Sequence, residues 1–166
     1  LQRIMSNNQN RKELTAPFIS AIEMLSNEEV VTTLRSTEPH AIACINWSDY
    51  PYAPEVTLHI AHSERALALM FEVKEQNTKA VTLEDNGPVW EDSCVEFFVR
   101  DPRGEGYFNF ELNCVGTLLA ANRRSRTNAN MFSAEKLASV RRFGSLPHER
   151  IDCRDGEWWI VEIIPF

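Results

Sequence analysis

Two glutamates on neighbouring predicted strands carry the clearest chemical signal in this sequence. Segments 93–99 and 107–114 both alternate apolar and polar residues, as strands do when one face of a sheet is buried. If these segments pair antiparallel about the turn that joins them, Glu96 stands directly opposite Glu111. Opposed carboxylates destabilise a sheet unless an arginine, another cation or a shared proton lies between them. We therefore predict that one of these three stabilises the pair.

The apolar side chains fix this register, because a shift of one residue would turn every side chain to the opposite face. The predicted pairs are Val95 with Leu112, Phe97 with Phe110, Val99 with Phe108, and Cys94 with Asn113. Asn109 and Asn113 then share the polar face with the two glutamates. The arginines that could bridge the glutamates are Arg123, Arg124 and Arg126.

Trp90 lies between a turn and the first of these strands. The residues at 84–88, Glu-Asp-Asn-Gly-Pro, are rich in turn formers. A flat ring at the edge of a sheet can hold the apolar face of a sugar, while polar side chains nearby bind its hydroxyls. The predicted hydrogen-bonding residues are Glu96, Asn109, Glu111 and Asn113. The alternative interpretation is that Trp90 packs under its own loop.

The segment around Trp90 resembles a known family signature. Residues 86–99, Asn-Gly-Pro-Val-Trp-Glu-Asp-Ser-Cys-Val-Glu-Phe-Phe-Val, are similar to the Trp-acidic-Asp-Ser-Val-Glu motif of the family 9 carbohydrate-binding modules. The flanking segments 55–73, 107–116 and 156–165 resemble strands of the same family. The resemblance implies a jelly-roll-like or immunoglobulin-like sandwich, with Trp90 as one wall of a sugar site and with Glu96 and Asn113 as polar contacts.

The same resemblance implies a function. Family members often accompany glycoside hydrolases, especially xylanases, so we expect an oligosaccharide or polysaccharide ligand, a role in polysaccharide breakdown and an extracellular or periplasmic location. Relatives often carry structural calcium, for which Asp85 and Asp92 are the weak candidates here; we predict no other cofactor. A second aromatic wall beside Trp90 is a further hypothesis, with Trp47, Tyr50 and Tyr52 as its residues, and Arg123 and Arg126 are secondary ligand contacts.

Two other functions remain open at this point. Glu96 and Glu111 could act as the carboxylate pair of a glycoside hydrolase, although such carboxylates flank the substrate and these would lie side by side. The domain could also be a protein-interaction sandwich with a degenerate sugar site. The sequence contains no nucleophile elbow, zinc-protease motif or phosphate loop. We therefore predict a domain that binds sugar without catalysis.

Composition is that of an ordinary globular domain. The chain has 166 residues, 43% of them hydrophobic, and a formal net charge of -7, which argues against binding to nucleic acid or anionic membranes. No apolar run is long enough to cross a bilayer. The four cysteines lack close-paired spacing, so we predict free thiols rather than a zinc site.

The pattern of strands and turns predicts an all-β protein, an antiparallel β-sandwich with one or two short helices. We assign residues 1–40 to an N-terminal arm and short helix and residues 41–166 to the sandwich. The helices are predicted at 28–35 and 133–140, each with a serine cap, and a strand is predicted at 41–47. Because the chain begins at leucine and ends within an apolar run, we expect a fragment of a longer protein, truncated at its C-terminus.

Overall fold

Two antiparallel sheets form the body of the protein. The computed structural model describes residues 14–45, 48–100 and 104–166, and within these ranges there are nine strands and two α-helices. The strands are β1 (His40–Ala41), β2 (Glu55–His62), β3 (Ala66–Ala80), β4 (Cys94–Val99), β5 (Tyr107–Asn113), β6 (Leu118–Ser125), β7 (Asn128–Met131), β8 (Arg141–Gly144) and β9 (Ile151–Pro165). The helices are α1 (Asn27–Arg35) and α2 (Ala134–Ser139), and single 3₁₀ turns cover Ile22–Met24 and Val89–Glu91.

The strands divide into a five-stranded and a four-stranded sheet. The five-stranded sheet has the order β1-β2-β3-β9-β8, and the four-stranded sheet has the order β4-β5-β6-β7. Every pairing of neighbouring strands within the two sheets is antiparallel. The prediction of an antiparallel sandwich with one or two short helices is therefore confirmed. No helix in the described part of the chain combines the length and the apolar character that a bilayer span needs.

The main core lies between the two sheets. Phe71, Trp158 and Ile160 reach into it from the five-stranded sheet, and Phe110 and Leu112 reach into it from the four-stranded sheet. These are alternate residues along their strands, because only every second side chain of a strand faces the same layer. Burying each such side chain stabilises the fold by about 1.5–3 kcal/mol before the cost of ordering the chain.

A helical layer covers the other face of the five-stranded sheet. The cap of α1 is the predicted one, with the Ser26 hydroxyl accepting from Glu29 N and the Glu29 carboxylate accepting from Ser26 N. Val30 and Leu34 of this helix are buried against the sheet, in a second core with Met70 and Val161. Among the described residues, no helix covers the outer face of the four-stranded sheet.

The predicted strand at 41–47 is much shorter than expected. It covers only His40–Ala41, which pairs with Leu58 and Thr57 of β2. One more hydrogen bond follows, from Ile42 N to Val56 O. If the pairing continued in the same register, Cys44 would stand opposite Pro54. Proline has no N–H to donate, so the pairing ends there. Asn46, Trp47 and the first 13 residues, which belong to the predicted N-terminal arm, lie outside the described residues.

The four cysteines have free thiols, as predicted. Cys44, Cys94, Cys114 and Cys153 are all free, and only Cys114 is buried. In the β4–β5 pairing Cys94 stands opposite Asn113 on the outer face, whereas Cys114 belongs to the core between the sheets. The two thiols therefore lie on opposite sides of the four-stranded sheet and cannot form a disulfide without a change of fold.

Glu162 is a buried acid on the inward face of β9. Ile160 and Ile164, two residues before and after it, face the same side of β9 and belong to the core between the sheets. The Glu162 side chain is buried, and its Oε1 atom has no hydrogen-bond partner within the described ranges. Burial raises the pKa of Glu162 to about 8, and the nearby Arg142 guanidinium opposes this shift only in part. The folded protein therefore keeps this carboxyl protonated at neutral pH.

Glu162 should make the protein less stable as pH rises. Between its ordinary pKa of 4.5 and about 8, the folded state holds a proton that the unfolded chain releases. The Glu162 contribution to the free energy of unfolding then falls by about 1.4 kcal/mol per pH unit across that window. Urea denaturation from pH 5 to 8 should show this slope, and Glu162→Gln should remove it. The exposed Glu157→Gln is the control. Parallel curves for the wild type and Glu162→Gln would contradict the assignment.

Candidate functional site

The outer face of the four-stranded sheet carries the predicted polar row. The observed β4–β5 register pairs Cys94 with Asn113, Glu96 with Glu111 and Phe98 with Asn109, and the inward pairs are those predicted from the sequence. We call this outer surface the polar face. Its residues on β4, β5 and β6 are Cys94, Glu96, Phe98, Tyr107, Asn109, Glu111, Asn113, Leu119, Ala121 and Arg123. The prediction that Glu96 and Glu111 share a face is confirmed.

Arg123 contacts Glu111, the less exposed member of the acidic pair. Its Nε atom donates to Asn109 Oδ1 at 2.7 Å, and Asn109 Nδ2 donates to Glu111 Oε1 at 2.6 Å. Arg123 Nη2 also lies 3.9 Å from Glu111 Oε1. Arg124 and Arg126 have exposed side chains, and Arg126 contributes only its carbonyl oxygen, which accepts from Arg123 Nη1. A chain of two strong hydrogen bonds thus holds Glu111 in place from β6.

The two glutamates lie in different environments. Glu111 is 8% exposed, whereas Glu96 is exposed to solvent. Burial raises the pKa of Glu111, the charge of Glu96 adds to this shift, and Arg123 and Asn109 act against it. The polar face therefore presents one freely solvated carboxylate beside one that is held rigidly and resists ionisation.

Asn113 connects the end of β5 to neighbouring segments. It is fully buried, and its Nδ2 atom donates to Thr82 O at 2.9 Å and to Asp92 Oδ2 at 3.0 Å. Its Oδ1 atom accepts from Thr117 N at 2.8 Å. Since both amide hydrogens and the oxygen are engaged, Asn113 ties β5 to the segment that follows β3. Asn109 is likewise buried and bonded on both sides of its amide, so both asparagines position other residues.

Asp92 joins the tryptophan loop to the same framework. Its two oxygens accept from Val81 N and Thr82 N, each at 2.9 Å, and one of them also receives the Asn113 amide. Burial disfavours the ionised form of Asp92, but these hydrogen bonds outweigh it and hold the pKa of this carboxyl below its ordinary value. The carboxylate therefore anchors the residues next to Trp90 in sequence.

Trp90 is exposed on this anchored loop. It is the middle residue of the 3₁₀ turn Val89–Glu91, in which Val89 is buried and the Trp90 side chain is 57% exposed. The Lys79 ammonium donates to Glu91 O at 3.0 Å, and Ser93 N donates to Lys79 O at 2.8 Å. A largely exposed ring does not match the alternative in which Trp90 packs under its own loop.

Tyr52, one of the other aromatic candidates, lies near the end of β3. Tyr50 and Tyr52 are both exposed, and the Tyr52 hydroxyl accepts from Gln76 N at 2.9 Å. Gln76 precedes by three residues the lysine that binds the tryptophan loop. The described tyrosines therefore remain candidates for a second wall. Trp47, the third member of this group, lies outside the described residues.

The two calcium candidates are engaged in the fold. Asp85 Oδ1 accepts from Leu118 N at 3.0 Å, and Asp85 Oδ2 pairs with Arg142. Asp92 makes the hydrogen bonds described above. Within the described ranges, no three His, Cys, Asp or Glu side chains converge in a group that could hold a metal ion.

Phe98 and Tyr107 are polar-face residues that the sequence analysis did not propose as ligand contacts. Phe98 is 54% exposed, and its ring centroid lies 5.9 Å from that of Tyr107. The available signal was the alternation along β4, which places Phe98 on the same side as Glu96. An aromatic residue at a polar position of a half-buried strand is the pattern that could have identified it.

Replacing Asp92 should loosen the tryptophan loop. Asp92→Asn removes the charge and turns one acceptor into a donor, so one of two backbone N–H groups loses its partner. We expect a loss of about 1–3 kcal/mol in the free energy of unfolding at pH 7, measured by urea denaturation. The exposed Asp155→Asn is the matched control and should change little. Equal stability of the two variants would show that the Asp92 hydrogen bonds do not hold the loop.

Comparisons with known proteins agree with the fold and indicate the family of the chain. Residues 27–166 match the family model described as carbohydrate-binding family 9. The fold is similar to the crystal structure of a candidate carbohydrate-binding protein from Bacteroides uniformis, with a TM-score of 0.84 and 39% sequence identity. That alignment covers 92% of this chain and 72% of the other. No curated protein matches. The chain belongs to carbohydrate-binding family 9.

Proposed function

We propose that the polar face binds a saccharide without cleaving it, with Trp90 as the stacking platform. The observation that carries this proposal is the 57% exposure of Trp90 on a loop that Asp92 and Asn113 fix to the end of β5. An exposed indole costs hydrophobic free energy unless something covers it. A rigid loop also lowers the entropy lost on binding, because the ring is already in position.

The polar face supplies charged hydrogen-bonding groups for the hydroxyls of the sugar. Glu96 offers an exposed carboxylate, Glu111 a fixed one and Arg123 a guanidinium whose remaining N–H groups can donate. Hydrogen bonds to charged groups are about twice as strong as neutral ones. Asn109 and Asn113 support these residues without contacting the sugar, because their amide groups already form hydrogen bonds within the protein. The proposal therefore assigns direct contacts to the first three residues and support to the asparagines.

The geometry favours binding over hydrolysis. Glu96 and Glu111 are direct cross-strand partners, so their Cβ atoms are about 4.5–5.5 Å apart and their carboxylates project from the same side of the sheet. Glycosidases place their two carboxylates on either side of the scissile bond. Two parallel side chains, one of them nearly buried, do not enclose a substrate in this way. Release of chromophore from an aryl glycoside, abolished in Glu96→Gln, would support the hydrolase instead.

The family suggests a wider role for such a module. We propose that the domain serves polysaccharide degradation, with xylan as one class of ligand, by holding an attached or neighbouring hydrolase near its substrate. Such a role requires contact with external polysaccharide, so we propose an extracellular or periplasmic location. A protein-interaction domain with a degenerate sugar site is the alternative, and it predicts no binding to any saccharide.

Trp90→Ala should abolish measurable sugar binding and leave the fold intact. Removal of a central aromatic contact typically costs a few kcal/mol, or about two decades or more in affinity. The exposed ring contributes little to the core, so the melting temperature should stay nearly unchanged. Isothermal titration calorimetry with xylo-, cello- and manno-oligosaccharides measures the first quantity, and calorimetric melting measures the second.

Trp90→Phe is the matched control, because it keeps a flat ring of smaller area and should retain part of the affinity. A large loss of stability in Trp90→Ala would show that the ring belongs to the core. Absence of binding heat with every sugar would favour the interaction-domain alternative.

The acidic pair should discriminate against anionic sugars. A uronic acid bound on the polar face would place its carboxylate near Glu96 and Glu111, and one such repulsion in partly solvated surroundings amounts to roughly a threefold to tenfold loss of affinity. Neutral oligosaccharides should therefore bind more tightly than uronic acid-containing ones of equal length. Glu96→Gln should narrow this gap without disturbing the fold, since Glu96 is exposed. A gap that stays unchanged in Glu96→Gln would place the sugar elsewhere.

A further inference from the structure

We propose that Phe98 and Tyr107 form a second aromatic platform on the polar face, so that the site takes a chain of several sugars and not a single one. This inference rests on the proposed sugar-binding function and deepens it, because it specifies the length of the ligand. The two residues lie at the far end of the face from the Trp90 loop, which precedes β4 directly.

The first support is the exposure of Phe98. More than half of this side chain is accessible, although its cross-strand partner Asn109 is buried and its sequence neighbours Phe97 and Val99 pack toward the core. Large apolar side chains usually gain stability by burial, yet Phe98 stays exposed near the end of β4, the edge strand of its sheet. Phe98 therefore exposes a flat apolar surface to solvent at a position where the fold does not require an apolar side chain.

The second support is the partner ring. The centroids of Phe98 and Tyr107 are 5.9 Å apart with an angle of 54° between the planes, which is a tilted arrangement rather than a stack. Such contacts hold aromatic rings in preferred orientations. Tyr107 also pairs with Arg123 across β5–β6, so the platform adjoins the guanidinium that organises Asn109 and Glu111.

The third support is distance. Cys94 begins β4 beside the tryptophan loop, and Phe98 lies four residues further along, a separation of about 14 Å at 3.4 Å per residue. That span exceeds the length of one sugar ring. Glu96 and Glu111 lie between the two ends. The face thus has Phe98 and Tyr107 at one end, the loop with the exposed Trp90 next to the other end, and hydrogen-bonding groups between them, which is an arrangement that fits a linear oligosaccharide.

A protein partner is a poorer match for this surface. The exposed rings are followed along the face by carboxylates, whereas the centres of protein interfaces are depleted in charged residues. A sugar chain, which alternates apolar C–H faces with hydroxyl groups, matches rings and carboxylates together. The geometry therefore assigns the platform to the saccharide.

The test is a chain-length series in isothermal titration calorimetry, with xylose, xylobiose, xylotriose and xylotetraose and the matching glucose series. In the wild type we expect affinity to rise with length up to three or four units. Phe98→Ala should lose this gain, about tenfold to a hundredfold for the longest sugar, and leave monosaccharide affinity unchanged. Phe98→Leu, which keeps an apolar side chain but no flat ring, should behave in the same way.

Phe18→Ala is the matched control. Phe18 is 55% exposed, contacts His62 of the five-stranded sheet, and should not alter binding at any length. Equal affinity for all lengths in the wild type, or wild-type binding of the longest sugar by both Phe98 variants, would overturn the second platform and leave the Trp90 site standing. Failure of every sugar to bind would overturn the proposed function, and this inference with it.

Discussion

Burial of the inner face of β4 and β5 determines which residues lie on their outer face. Phe97 pairs with Phe110 and Val95 with Leu112 inside the sandwich, and each pair fixes the direction of its neighbours along the strand. Glu96 and Glu111 are thereby forced to the same side, at a spacing where two charges repel. The pair is tolerated because Arg123 and Asn109 bind Glu111 and because Glu96 remains solvated. The acidic character of the polar face is thus a consequence of the core register.

The hydrogen bonds of this region distinguish residues that fix the tryptophan loop from residues that are free to contact a ligand. Asn113 and Asp92 bond to one another and to the backbone of residues 81 and 82, so the tryptophan loop is fixed by partly buried polar contacts rather than by the indole itself. Trp90 is therefore free to remain exposed. Polar networks of this kind stabilise a structure only when every member is paired, so the network fixes the loop in one position. Rigid support beneath an exposed ring is what a preorganised binding site requires.

Much of this arrangement could be predicted from the sequence, and the remainder depended on contacts between distant segments. Alternation gave the β4–β5 register pair by pair, because one face had to be apolar. It could not show that Asn109 and Asn113 are buried, since their partners come from β6 and from Thr82. The predicted strand at 41–47 is too long because its apolar pattern says nothing about Pro54, which directly precedes the partner strand β2. The buried position of Glu162 became clear only once β9 was seen to face the core.

The central claim is that sugar binds on the polar face beside Trp90. The most direct measurement is a titration of the ¹⁵N-labelled protein with a neutral xylo- or cello-oligosaccharide, followed by two-dimensional NMR of the backbone amides and the four indole N–H groups. We expect the Trp90 indole and the amides of β4 and β5 to shift together. The Trp158 indole, which donates to Glu75 at 2.7 Å in the core, should not move. Shifts confined to α1 and the outer face of the five-stranded sheet, with Trp90 unchanged, would contradict the account.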